Sequence, residues 1–105
     1  DWNQDIHRVY NFVRGLSPYP AAYGFIKRDE KSLSMKIFRA NKMEKEHENA
    51  PGTILVQEGK SIWVATQNGF LILEEIQLAG KKRMLTKDFL LGFKDLESYS
   101  FSLTD

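Results

Sequence analysis

TILVQEGKSIWVATQNGFLILEEI, residues 53–76, reads as three short strands in succession. Residues 53–57, 61–66 and 70–76 are rich in β-branched, aromatic and leucine side chains, the types that suit a pleated and half-buried surface. Between them, Glu58, Gly59 and Lys60 form one joint and Asn68 and Gly69 the other. Asn-Gly is the pair that most readily supplies the positive φ angles of a tight hairpin turn. Strands joined by links this short pair antiparallel, so the stretch predicts a meander.

The pattern extends upstream. Residues 22–27 and 33–39 predict two more strands around the polar turn 28–32, with Leu33, Met35 and Ile37 on one face and Ser34, Lys36 and Phe38 on the other. Before them, Trp2, Ile6, Val9, Tyr10, Val13 and Leu16 recur at intervals that put them on one side of a helix over residues 1–16. Asp1 and Gln4 resemble a capping box, and Gly15 stands where a helix commonly ends. Pro18 and Pro20 in GLSPYPAAYGF (residues 15–25) bar any continuation, because each lacks an amide donor and forces its predecessor out of helical geometry. That corner stops the helix and starts the sheet.

Residues 41–51 carry charge without an apolar period and read as a loop of about ten residues, long for a compact domain. Downstream, Thr86 predicts the cap of a short helix over 86–92 that Gly92 closes. The expected fold is mainly β: five strands over residues 22–78, flanked by two helices, in a small OB-like antiparallel barrel.

A chain of 105 residues with 42% apolar and 28% charged residues predicts one globular domain with one core. Cysteine is absent, which excludes disulfides, thiolate nucleophiles and Cys-bound zinc and suits a reducing, cytoplasmic setting. No apolar run approaches a membrane span and no signal peptide is expected, so no membrane partner is predicted.

Catalytic groups do not converge in this sequence. His7 and His47 have neither a metal-binding spacing nor a neighbouring nucleophile; His7 reads as a helix residue over the sheet edge or in water, and His47 as a solvated loop residue. Glu74 and Glu75, as neighbours on a strand, are expected on opposite faces, one in solvent and one in a salt bridge, unable to share a proton or a metal. No metal and no bound cofactor are predicted.

The net charge is only +1, but its distribution is uneven. Lys81, Lys82 and Arg83 are consecutive directly after the last predicted strand, and Lys36, Arg39 and Lys42 recur every third residue. Cations on a barrel rim meet phosphates without reading bases. The competing readings are a solvated turn or a contact with another domain. Tyr19, Tyr23 and Trp63 are able to stack on bases, although their expected places are against the helix for the tyrosines and in the core for the tryptophan.

IHRVYNFVRGLSPYPAAYGF, LSMKIFRA, PGTILVQ and IQLAGKKRMLTKDFLLGF, in that order, closely resemble the C-terminal domain of methionyl-tRNA formyltransferases over residues 1–94. The resemblance implies a formyltransferase C-terminal barrel, read here as one domain over 1–105. It further implies a noncatalytic role: holding initiator methionyl-tRNA for formyl transfer from 10-formyltetrahydrofolate in translation initiation. The chemistry and the folate site of that family lie in an N-terminal catalytic domain, expected outside these residues and as a partner of this chain, which by itself is expected inactive. The family's basic surface maps onto Lys81, Lys82 and Arg83, with Arg14 matching the arginine at its helix end. Lys36, Arg39 and Lys42 extend the candidate tRNA-binding set by strand facing and their basic spacing, outside the resemblance. The alternative is a structural accessory domain of another formyltransferase-family enzyme acting on a folate or a sugar nucleotide.

Overall fold

The structure, a computed structural model, describes residues 5–16 and 22–102, the side chains of 12–16 and 22 excepted. The first element is helix α1 (Ile6–Leu16), followed by strands β1 (Ala22–Arg28), β2 (Lys31–Glu44), β3 (Ile54–Gln57), β4 (Ser61–Ala65) and β5 (Gly69–Leu78). A short strand β6 (Met84–Leu85) leads into helix α2 (Thr86–Gly92), and a 3-10 turn (Leu96–Ser98) precedes strand β7 (Ser100–Ser102). The corner at residues 17–21 and the Asp1–Gln4 capping box lie outside the described residues.

All the strands join one antiparallel sheet in the order β3-β4-β5-β2-β1-β7, with β6 pairing β5 beyond the end of β4. The sheet curls until its two edges touch. Thr53 bridges Ser100, and Phe101 N donates to Gly52 O at 2.8 Å. The result is the mainly β, partly closed antiparallel barrel that the meander predicts. Met35 and Ile37 of β2, Ile62 and Val64 of β4, and Leu71, Leu73, Ile76 and Leu78 of β5 fill it, all buried. Ile6 and Val9 of α1 pack into the same cluster from one end of the barrel, and Phe89 and Leu90 of α2 join it as well.

Several local expectations give way to tertiary pairing. Strand β2 runs on through residues 41–44, read above as loop, because Asn41, Lys42, Met43 and Glu44 pair with Ile72, Leu71, Phe70 and Gly69. A partner strand, rather than an apolar period, supplies the ladder there. Neither Asn68 nor Gly69 has positive φ; the left-handed pair is Glu58 (55°) and Gly59 (69°), with Lys60 N closing the turn on Gln57 O. Asn68 instead anchors α1: its Oδ1 accepts from Ile6 N at 2.8 Å and its Nδ2 donates to Asp5 Oδ2 at 2.9 Å. Asp5 Oδ1 accepts from His7 N and so caps the helix. That backbone donation holds the Asp5 carboxyl below its usual range. Gly69 is needed for a different reason, since a Cβ there would lie 2.3 Å from Met43 O. Thr86 is the buried first residue of α2, Leu85 occupies the cap position without a side-chain hydrogen bond, and Gly92 ends the helix without entering the left-handed region.

Gly52 carries the closure. Its φ is +89°, its N–H donates to Ala65 O, its carbonyl accepts from Phe101 N, and an added Cβ would meet Phe101 O at 2.6 Å. Gly52→Ala is expected to destabilise the chain by about 1–3 kcal/mol, through strain at positive φ and displacement of β7. Urea unfolding checks this as a lower midpoint, and a midpoint equal to that of the parent chain would show that the edges do not close on Gly52.

Candidate nucleic-acid interface

Residues 78–85 carry the basic run out of the sheet and back. Lys81 N donates to Leu78 O at 2.9 Å, and Gly80 has φ +81°, the left-handed third position of a type II turn. Gln77 Nε2 donates to Lys81 O at 3.0 Å, a second tie between the turn and β5. Lys81 and Lys82 are exposed, and among the described residues no carboxylate lies within ion-pair distance of either.

Arg83 has a different setting. Its Nε donates to Glu75 Oε2 at 2.8 Å, and its guanidinium lies 4.0 Å from the centroid of the Phe38 ring. Arg39 Nε is 3.3 Å from Glu74 Oε1, and its Nη1 is 3.6 Å from Glu75 Oε1. Two arginines and two glutamates thus form one cluster of zero net charge. Two neighbouring glutamates reach one arginine, contrary to the alternation expected of a strand. The cause is a double irregularity in the ladder: Ile37 pairs Ile76, Arg39 pairs Glu75 and Ala40 pairs Leu73, so that the register steps over Phe38 on β2 and over Glu74 on β5. Each strand carries one extra residue, and the side-chain alternation slips on both.

The same slip sorts the basic residues spaced by three. Lys36 lies on the outer face with Arg39, and its Nζ is 5.6 Å from the centroid of the Tyr23 ring. Lys42 falls on the other side, under α1, where its Nζ donates to His7 Nδ1 at 2.8 Å and sits 4.9 Å from the Tyr10 ring centroid. An ammonium has no acceptor to offer, so His7 keeps its proton on Nε2, 3.5 Å from Glu44 Oε2. Lys42 therefore fastens the helix and does not join the rim. The side chain of Arg14 lies outside the described residues.

Three aromatic and histidine placements also depart from expectation. Tyr23 is 50% exposed on the outer face of β1 rather than packed on the helix. Trp63 is half-buried on the outside of the sheet, 5.3 Å from Phe70 between ring centroids, rather than within the core. His47 is not a solvated loop residue: its Nδ1 accepts from Asn49 N, its Nε2 faces Thr66 O and Gly69 O at 2.9 and 3.1 Å, and its ring lies 4.4 Å from Phe70. The outward face of Tyr23 is fixed by its pairing opposite Lys36, and the roles of Glu75, Gln77 and His47 likewise depend on partners elsewhere in the chain.

Among the described residues no group of His, Asp and Glu side chains is arranged to hold a metal, and no helix is long and apolar enough to cross a membrane. Fold and surface together define a small antiparallel barrel domain bearing a basic turn on its rim. It belongs to the formyl transferase C-terminal domain family, whose model matches residues 1–94. Its relatives include methionyl-tRNA formyltransferases of Parabacteroides distasonis, 50% identical across 95% of this chain, and Bacteroides fragilis, 43% identical across 94%. A third, from Geotalea daltonii, is 43% identical across 90%. The chain spans less than a third of the length of these relatives, covering 31%, 31% and 28% of them.

The Arg83 hydrogen bond, aided by the charges of Arg83 and Arg39, holds the Glu75 carboxyl below the ordinary glutamate value of 4.5, against a smaller opposing effect of burial. A depressed carboxylate stabilises the fold at neutral pH, and that contribution disappears as pH falls through the depressed value, below 4.5. Glu75→Gln is therefore expected to lower stability at neutral pH and to flatten its decline in acid. Urea midpoints compared between about pH 3 and pH 6 test this; parallel curves for the two proteins would dissolve the coupling.

Proposed function

We propose that this chain is the RNA-holding module of a methionyl-tRNA formyltransferase. In this reading it forms one domain over residues 1–105, works in the cytoplasm, and presents Lys81, Lys82 and Lys36 to backbone phosphates of initiator methionyl-tRNA. Formyl transfer from 10-formyltetrahydrofolate takes place on a partner catalytic domain, and no residue of this chain is assigned to that cosubstrate. Arg39 and Arg83 take part from within their cluster. Both are more than half exposed, and exposed ion pairs contribute at most about 1 kcal/mol, so an incoming phosphate competes readily for them. Arg14 enters through the family resemblance alone.

The observation that carries the reading is the exposed Lys81–Lys82 pair, presented on a turn of defined geometry in a chain of this family. Cations that neutralise phosphates release counterions, so binding weakens steeply with salt. Replacing Lys81 and Lys82 by Ala is expected to weaken binding of initiator methionyl-tRNA and to reduce the log–log salt slope by about 0.9 for each phosphate no longer neutralised. Salt titrations of the two proteins that superimpose would remove the turn from the interface.

A further inference from the structure

Among the described residues, Tyr23, Met43 and Leu91 are the large apolar side chains left exposed, and of these Tyr23 has a cation beside its ring, the Lys36 ammonium. Strand register places Tyr23 opposite Lys36 and Lys36 opposite Gln77, so the three form a row across β1, β2 and β5 on the outer face. At the end of that row, Gln77 holds the carbonyl of Lys81. Neighbouring strands lie about 4.8 Å apart, so the row runs roughly 10 Å from an open aromatic ring, past one ammonium, to the foot of the Lys81–Lys82 turn. Two residues along β2, about 7 Å by strand rise, Phe38 carries the Arg83 guanidinium on its ring.

We infer that this row binds an unpaired nucleotide of RNA, with Tyr23 stacking on the base and Lys36 and Lys81 taking the flanking phosphates. The inference rests on the RNA-holding reading above and narrows it to a single-stranded element. A tyrosine on the face of a sheet reaches a base by its ring plane. Bases inside a duplex already have both faces covered and present their edges in the grooves, so an open ring serves a base that is unpaired. A ring beside a cation suits this ligand in two ways: the base covers the apolar face, and the ammonium meets the phosphate that the nucleotide necessarily brings. The Arg83 plane over Phe38 offers a second stacking surface for the adjoining nucleotide. The Leu55, Trp63, Phe70 and Ile72 side of the same sheet lacks this chemistry, since its aromatic rings pack on one another and on His47.

The probes are a short single-stranded oligoadenylate and an RNA duplex of matched total charge, titrated by fluorescence anisotropy at fixed low salt. Tyr23→Ala is expected to weaken the single strand about tenfold, the range found for one base–aromatic stack, while leaving its salt slope and the duplex affinity unchanged. Tyr23→Phe keeps the ring and should bind like the parent, which separates stacking from loss of fold. Failure of the parent chain to bind oligoadenylate, or equal binding by Tyr23→Ala, overturns the nucleotide site. If Tyr23→Ala has no effect but Lys81→Ala and Lys82→Ala weaken both probes, phosphate binding stands without stacking. If the lysine variants bind both probes as the parent does, it is the RNA-holding reading that fails.

Discussion

The pairing of β2 with β5 is the constraint on which the rest of the molecule hangs. Each strand carries one extra residue at the same level, Phe38 on β2 and Glu74 on β5, so the ladder resumes in register after both have slipped. Bulges bend a strand and increase its twist, which is what a long strand needs if it is to wrap a small barrel. Because the slip occurs on both strands, the inward set is preserved: Met35 and Ile37 before it and Ala40 after it on β2, Ile76 and Leu78 on one side of it and Leu71 and Leu73 on the other on β5. An extra residue on one strand alone would turn half of its partner pairs to the wrong face.

The outward consequence is chemical. Phe38, Arg39, Glu74 and Glu75 gather where alternation would have separated them, and Arg83 returns on the neighbouring turn to complete the cluster. This neutral knot divides the outer face. On one side lie Leu55, Trp63, Phe70 and Ile72, with His47 hydrogen-bonded across the Thr66–Gly69 turn; on the other lie Tyr23, Lys36, Gln77 and the Lys81–Lys82 turn. A total charge near zero thus coexists with a local basic edge, because Glu74 and Glu75, the carboxylates of the neighbouring knot, are engaged by the two arginines and not by Lys81 or Lys82.

Much of the architecture is legible in the sequence, since it depends on period and on residues with strong backbone preferences. The strands at 22–27, 33–39, 53–57, 61–66 and 70–76 and the helices at 1–16 and 86–92 all have counterparts, as does the inward set of β2. The departures share one cause. Asn68-Gly69 has the composition of a tight turn, yet Asn68 is engaged with Asp5 and Ile6, more than sixty positions away in sequence, and a hydrogen bond of that range leaves no local trace. Residues 41–44 lack an apolar period because Lys42 serves the helix and Asn41 and Met43 face outward; their strand state comes from the partner. Strands β6 and β7 carry no signal of their own, being too short for two or three residues to show alternation. In the basic set, the exposure of Lys81 and Lys82 follows from their place after a strand. The opposite placements of Arg39 and Lys42 do not, because spacing by three reads differently on a slipped strand and on a regular one.

What the sequence determined by itself was the class of fold, the family, and the place of the GKKR turn at the end of a strand: each is written in nearest neighbours, in alternation, or in a motif. Which cations stand free of carboxylates and which are held by them, which face Tyr23 and Trp63 occupy, and where the sheet meets itself at Gly52 and Phe101 were decided by the tertiary structure. These depend on the angle at which strands distant in the chain are brought together, and that angle is set by the whole packed core.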